Sequence, residues 1–282
     1  MAGSISYMAP ELNVQEEATF RLIFFLSAFL ICAGIEWFRP KRAWRESRLT
    51  RWGINLSIIL INTLIVRLTV GAIAVSAAVW AQQEQLGLFH WLQMPLAISA
   101  VLGFLLLDMA IWGQHWVTHK LPVLWRLHQV HHTDLDLDVT SALRFHPVEI
   151  LLSLIYKAVI IVVFGIDPVV VIAFEVVLNA SAIFTHANIR IPSGIDSALR
   201  WIICTPDMHR IHHSVYQEET DSNYGFFLSV WDRLFSTYTV EPKDNHQQMQ
   251  LGLSEYRQQA RLGFVALLKL PLQRLRSSRQ VP

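Results

Sequence analysis

The sequence predicts an all-α membrane protein: three transmembrane helices plus a helical hairpin, with a cytoplasmic histidine-rich cap. Three observations predict it. Of the 282 residues, 53% are hydrophobic and only 16% charged, with a mean hydropathy of +0.36, which is too apolar for an ordinary soluble domain. The apolar residues fall into long runs, each close to the ~20 residues that carry a helix across ~30 Å of hydrocarbon. Histidines then gather at the ends of those runs, in HWVTH, LHQVHHTD and MHRIHHSV. The chain, 1–282, reads as a single membrane domain with transmembrane helices at 20–113, a histidine-bearing region at 114–238 and a basic amphipathic tail at 239–282.

The first eighteen residues are polar, with Glu11, Glu16 and Glu17 and no basic stretch ahead of an apolar core, so no cleaved secretory signal is expected. Phe20–Phe38 is the first span. The loop after it, RPKRAWRESRLTR, sets Arg39, Lys41, Arg42, Arg45, Arg48 and Arg51 against Glu46 alone, which places it in the cytoplasm and the N-terminus outside. Residues 53–81 form a second run, interrupted by Arg67, and residues 95–113 a third, interrupted by Asp108. The link QQEQLGLFHWLQM has no Lys or Arg and is external, so residues 114–147 return to the cytoplasm.

Residues 148–166 and 169–185 are two shorter runs joined by Asp167 and Pro168, whose turn chemistry suits a hairpin within 148–185. Whether it dips part way or crosses fully, it brings His186 back to the cytoplasmic side. Lys157 and Glu175 lie at similar distances from its turn and are expected to pair, since an unpaired charge there costs roughly 2.5 to 3.5 kcal/mol. Arg67 has no evident partner, Asp108 being the candidate. From Ala187 to Pro282 there are eleven Lys or Arg and no further span. Among them Arg257, Arg261, Lys269, Arg274, Arg276 and Arg279 fit a segment lying on anionic lipid, docking a protein or merely solvated.

A net charge of +1 gives no nucleic-acid footprint, and Cys32 and Cys204 form no CxxC, so histidine must carry any metal chemistry. Of twelve histidines, eight sit in three groups: His115 with His119; His128 with His131 and His132; His209 with His212 and His213. The two HxxHH patterns lie 81 residues apart. Residues at i, i+3 and i+4 share a helix face, and Thr205, Pro206 and Asp207 supply an N-cap, an N1 proline and a first-turn acid ahead of His209.

So many imidazoles packed without metal would compete for few acceptors, and protonating them would set like charges side by side. Eight or more can instead serve two ions with four or five ligands each, imidazole suiting zinc or iron. HExxH and Glu-x-x-His are absent. Carboxylates are then expected behind the imidazoles, with Asp108 and Asp207 best placed by spacing. Asp134, Asp136 and Asp138 read as solvated or capping, and His90 and His246 as ordinary core or surface residues.

HWVTH, WRLHQVHHTD, ALRFHP, FTHANIRIP, MHRIHHSV and NYGFFLSVWDRLFSTY together resemble the sterol desaturase and fatty acid hydroxylase superfamily of integral-membrane di-iron oxygenases, over roughly Asp108 to Tyr238. The resemblance implies nine metal ligands, His115, His119, His128, His131, His132, His186, His209, His212 and His213, holding two iron ions. It implies that Asn179, two turns before His186, acts through water, and that His146 stands in the pocket wall or behind the ligands. It also implies an O2-dependent hydroxylase or desaturase acting on a membrane lipid: a sterol, acyl chain, carotenoid, ether lipid or aminolipid. With no HPGG, nucleotide-binding glycine fingerprint or cysteine set in the chain, the electrons come from a separate donor protein. A membrane metal transporter is the alternative, although transport sites lie near the bilayer midplane rather than at one boundary. A bis-histidine haem protein needs only two axial ligands.

Overall fold

The structure, a computed structural model, describes residues 14–258 and 262–273. Among the described residues the regular elements are helices; pairing outside them is limited to the isolated bridges Pro40–Ile189, Ile203–Leu228 and Ser214–Leu251. Five helical segments are long and apolar enough to cross a membrane.

The first is α1 (Val14–Phe38). The second run is not one helix: α2 (Arg48–Thr69) and α3 (Ile73–Gln83) are separated at Gly71, whose φ of +52° a residue with a side chain rarely adopts. The amides of Val70 and Gly71 both close onto the Val66 carbonyl, which ends α2. A short α4 (Leu88–Trp91) leads into α5 (Leu96–Lys120), which carries the third run to His115 and His119.

The hairpin is α7 (Pro147–Phe164) and α8 (Pro168–His186), following α6 (Pro122–His132). Gly165 caps α7 at φ +69°, and the Asp167 carboxylate accepts the Val169 amide to start α8. The tip lies against the link between α3 and α5. A Cβ on Gly87 would fall 2.2 Å from the Gly165 nitrogen, so backbone meets backbone there, beside the His90 ring. The arms, 18 and 19 residues long, each about 27 Å, therefore extend as far from the histidines as the link at the start of α5. Lys157 and Glu175 do pair, and Arg21 joins them, 2.5 Å from Glu175 and 2.7 Å from Glu17. Asp108 does not pair with Arg67. It accepts the Trp231 indole at 2.7 Å and the Leu228 amide at 3.2 Å, whereas Arg67 lines a cleft beside Glu175.

At the histidine end α6 is joined by α9 (Ser193–Leu199), α10 (Pro206–His212), α11 (Gln217–Thr220), α12 (Val230–Leu234) and α13 (Phe264–Lys269). The segment Asp134–Asp138 is not solvated. Its three acids are buried around a fully buried Arg51, which donates to both Asp134 oxygens at 2.7 and 2.8 Å and to Asp138 at 2.6 Å. Asp136 instead accepts the amides of Arg45 and Glu46, and Asp138 also accepts the Thr140 amide. Burial pushes the Asp134 carboxyl up, but Arg51 and Arg144 outweigh it and hold it well below the usual range. The described part of the tail also turns inward: Leu262, Leu267 and Leu270 are buried with Ile58, Val130 and Leu135. Arg261, Arg274, Arg276 and Arg279 lie outside the described residues.

Candidate metal centre

Four helices converge their histidines. His115 and His119 come from the last turns of α5, His128, His131 and His132 from the end of α6, His186 from the end of α8, and His209, His212 and His213 from α10 and its C-cap. The Thr205 hydroxyl accepts the Met208 amide to begin α10, with Pro206 at the first position.

The nine imidazoles divide into two groups, all buried. One holds His115, His119, His128, His132 and His212, the other His131, His186, His209 and His213, with ligand atoms within 4.8 Å of one another in each. In each HxxHH, the i, i+4 pair goes to one group and the i+3 histidine to the other. His128 and His132 join the first while His131 joins the second; His209 and His213 join the second while His212 joins the first.

The geometry suits metal ions. The Nε2 atoms of His115 and His132 lie 3.1 and 3.2 Å from that of His128, and those of His131 and His209 lie 3.0 and 3.1 Å from that of His186. Nitrogens about 2.1 Å from a shared ion are separated by about 3.0 Å at right angles and about 3.4 Å at the tetrahedral angle. Buried ring nitrogens of His131, His209, His212 and His213 have no hydrogen-bond partner, an arrangement rare unless something else satisfies them. Burial first, and neighbouring imidazoles second, push His131, His132, His209, His212 and His213 well below their ordinary pKa. They are neutral at pH 7, the form that donates a lone pair to a metal.

The outer Nδ1 atoms of five rings face a partner, which fixes the orientation of those rings. His115 donates to the Tyr224 carbonyl, His212 to that of Ser222 and His186 to that of Ala182, each at 2.7 Å. His128 donates to Glu149 at 2.6 Å, and His119 lies 3.4 Å from Asp221. Sequence spacing missed both carboxylates. The available signal for Glu149 was an acid in the first turn of an apolar helix, and for Asp221 an acid shortly after the third histidine box.

The residues expected behind the ligands are placed otherwise. Asp108 holds Leu228 and Trp231, while Asp232 takes the amides of Tyr224 and Gly225 at 2.8 Å and the Trp112 indole at 3.0 Å. These two acids thus brace the segment that presents the Tyr224 carbonyl to His115. Asp207 pairs with Arg210 and, at 2.6 Å, with Lys41; against the upward push of burial, these cations bring its carboxyl down to about 2. His146 caps α7 through the Val148 amide and donates to the Leu268 carbonyl at 3.2 Å. Asn179 donates to the Glu175 carbonyl and lines a cavity of about 200 Å3. That cavity is lined by His115, His128 and Glu149 together with the apolar Ile111, Leu178 and Phe226.

Residues 100–237 match the family model for fatty acid hydroxylase. That stretch is a fatty acid hydroxylase domain. The match takes in all nine clustered histidines. The chain is 29% identical over 182 residues to an ornithine lipid hydroxylase of Rhizobium tropici, covering 64% of this chain and 53% of that one. It is 32% identical over 156 residues to the alkylglycerol monooxygenase of Danio rerio (54% and 34%), and 28% identical over 149 residues to the lathosterol oxidase of Mus musculus (52% and 46%). The matched stretch thus spans about a third to a half of these relatives' own length. No solved structure gives a significant match.

Proposed function

We propose that this chain is an integral-membrane oxygenase of lipids, holding two iron ions and using O2 and electrons from a separate donor protein to hydroxylate or desaturate a C–H bond. The observation that carries the reading is the division of nine buried imidazoles, five of them braced from outside, into two groups beside an apolar cavity. The three relatives compared above are named as a lipid hydroxylase, a monooxygenase and a sterol oxidase; none of those names supports metal transport.

When bound, the two ions supply the activation of O2. The chain's own residues do the rest. His115 and His128 form part of the cavity wall, so an apolar chain lying there is held against the ligand set, where a displacement of about 1 Å can change the outcome. Ile111, Leu178 and Phe226 exclude water. Glu149 accepts the Nδ1 proton of His128 and so fixes which nitrogen of that ring faces the other imidazoles. Asn179, in the same wall, is the candidate for a contact through water. The arginine-rich segment after α1 supports a cytoplasmic position for the histidine end.

The test is metal analysis with an optical spectrum, followed by lipid profiling of cells with and without the protein. About two non-haem irons per chain and an oxidised lipid that disappears in His212→Ala are expected. A Soret band, or a His212→Ala profile equal to wild type, would overturn the proposal.

A further inference from the structure

Beside the cavity at the histidines lies a larger cleft of about 680 Å3, bounded by α1, α2, α3, α7 and α8. The two share Phe25, Ile59 and Asn179 in their walls. These shared residues set the two hollows side by side. The cleft differs in being charged, with Arg21, Arg67 and Glu175 in its wall.

Two of those charges are committed. Glu175 pairs with Lys157 and with Arg21, and Arg21 also pairs with Glu17. Arg67 is different: among the described residues it has no ion pair and no side-chain hydrogen bond. It is an exposed residue in the last turn of α2, and an unpaired cation at the end of an apolar helix is open to an anionic partner. Its surroundings add to the positive field. α2 ends just after Arg67, and α3 restarts at Ile73 with no side-chain cap. The first amides of a helix have no carbonyl partner within it, and they form its positive end. Gly71 to Val75, which contain that first turn, line the same cleft. The broken helix therefore brings a guanidinium and an uncapped helix start to one hollow, and both favour oxygen anions.

The spacing along α2 relates this point to the ligands. Asn62 and Ile59, both in the wall of the cavity at His115 and His128, precede Arg67 by five and eight residues, roughly 8 to 12 Å along the helix axis. An anionic group at Arg67 thus leaves the apolar chain, not the headgroup, at the histidines.

We propose that Arg67, with the open first turn of α3, binds the anionic oxygens of a lipid, carboxylate or phosphate, whose apolar chain runs past Phe25 and Ile59 to the cavity beside His115 and His128. The proposal rests on the lipid-oxidation reading and adds the chemical class of the substrate.

The test titrates three lipids against the purified full chain in nonionic detergent, read by native mass spectrometry: oleic acid, dioleoylphosphatidic acid and dioleoylglycerol. Wild type should bind at least one anionic lipid about tenfold or more tightly than dioleoylglycerol, the scale of one charge-assisted contact. Arg67→Gln should abolish that preference while leaving dioleoylglycerol binding and metal content unchanged, and Arg67→Lys should keep part of it. Preference for oleic acid assigns the carboxylate, preference for phosphatidic acid the phosphate, and equal preference their shared chemistry. No preference in wild type, or a preference that survives in Arg67→Gln, overturns the proposal. The two readings fail separately. Arg67-dependent binding without any lipid oxidation leaves the anion site standing, and oxidation dependent on His212 with Arg67-independent binding removes the anion site alone.

Discussion

Glu149 offers the sharpest separation between the two ligand groups. Its carboxylate accepts His128 Nδ1 at 2.6 Å with both residues buried, and its other oxygen has no hydrogen-bond partner. Glu149→Gln keeps the shape and an oxygen acceptor but removes the carboxyl group set directly on His128. Replacing an outer partner of this kind costs about 10- to 100-fold in metal affinity, or about 1.4 to 2.7 kcal/mol. Because His128 belongs to the five-histidine group only, the loss should fall on one ion. Chelator titration of the metal-loaded protein, followed by metal analysis, should show one ion released at lower chelator concentration and the other unchanged. Asp221→Asn should act on the same ion more weakly, since Asp221 lies 3.4 Å from His119 and is partly exposed. If Glu149→Gln released both ions together, or neither, the assignment of Glu149 to one group would be wrong.

Three further outcomes are expected. Arg51→Met leaves Asp134 and Asp138 buried without their guanidinium and should destabilise the protein by roughly 3 to 5 kcal/mol, seen as a lowered melting temperature in detergent. Gly87→Ala puts a methyl 2.2 Å from the Gly165 backbone at a φ of +99° and should cost at least the ~1 to 3 kcal/mol of an overpacked site, whereas Gly53→Ala, which meets open space, should not. His246 is pushed down to about 4, chiefly by burial, against about 6.5 when unfolded. Its folded form is therefore neutral, and the stability it contributes is full above pH 6.5 and falls as pH drops toward 4, by up to about 3 kcal/mol. Metal-free wild type should lose stability over that window more steeply than metal-free His246→Gln.

The clustering of the histidines was legible because its spacing is local: HxxHH on a helix brings three rings to one side whatever surrounds it. Even the division within each box follows from helix geometry, since i and i+4 lie about 40° apart around the axis while i+3 falls on the other side of i. Which pair meets which group was not legible, because it depends on how α6 and α10 face each other. The outer partners were the least visible. Nearness in sequence pointed to Asp108 and Asp207, but three of the five observed partners of the outer nitrogens are backbone carbonyls, of Ala182, Ser222 and Tyr224, and a carbonyl has no residue signature. Arg51 shows the same limit for charge. Read as one of six cations in a cytoplasmic loop, it is a buried residue of α2 whose carboxylates lie 83 and 87 residues away. A count of charge can orient a span, but it cannot tell a solvated arginine from a buried one.

Those buried acids also explain how the cluster of imidazoles is held in place by the chain itself. The loop after the second histidine box is clamped by Arg51 on Asp134 and Asp138, and by Arg144 reaching the Val130 carbonyl and the Thr133 hydroxyl. The segment after the third box is clamped by Asp232 on the amides of Tyr224 and Gly225, and by Asp108 on Leu228 and Trp231. The second and third boxes are thus each followed by a loop anchored through charged or polar groups outside the histidine cluster. The first clamp fixes the end of α6, and with it His131 and His132; the second fixes the Tyr224 carbonyl that orients His115. Buried polar groups of this kind do more for a unique geometry than for net stability when every member is satisfied. In this chain they sit where an error of about 1 Å in a ring position would count most.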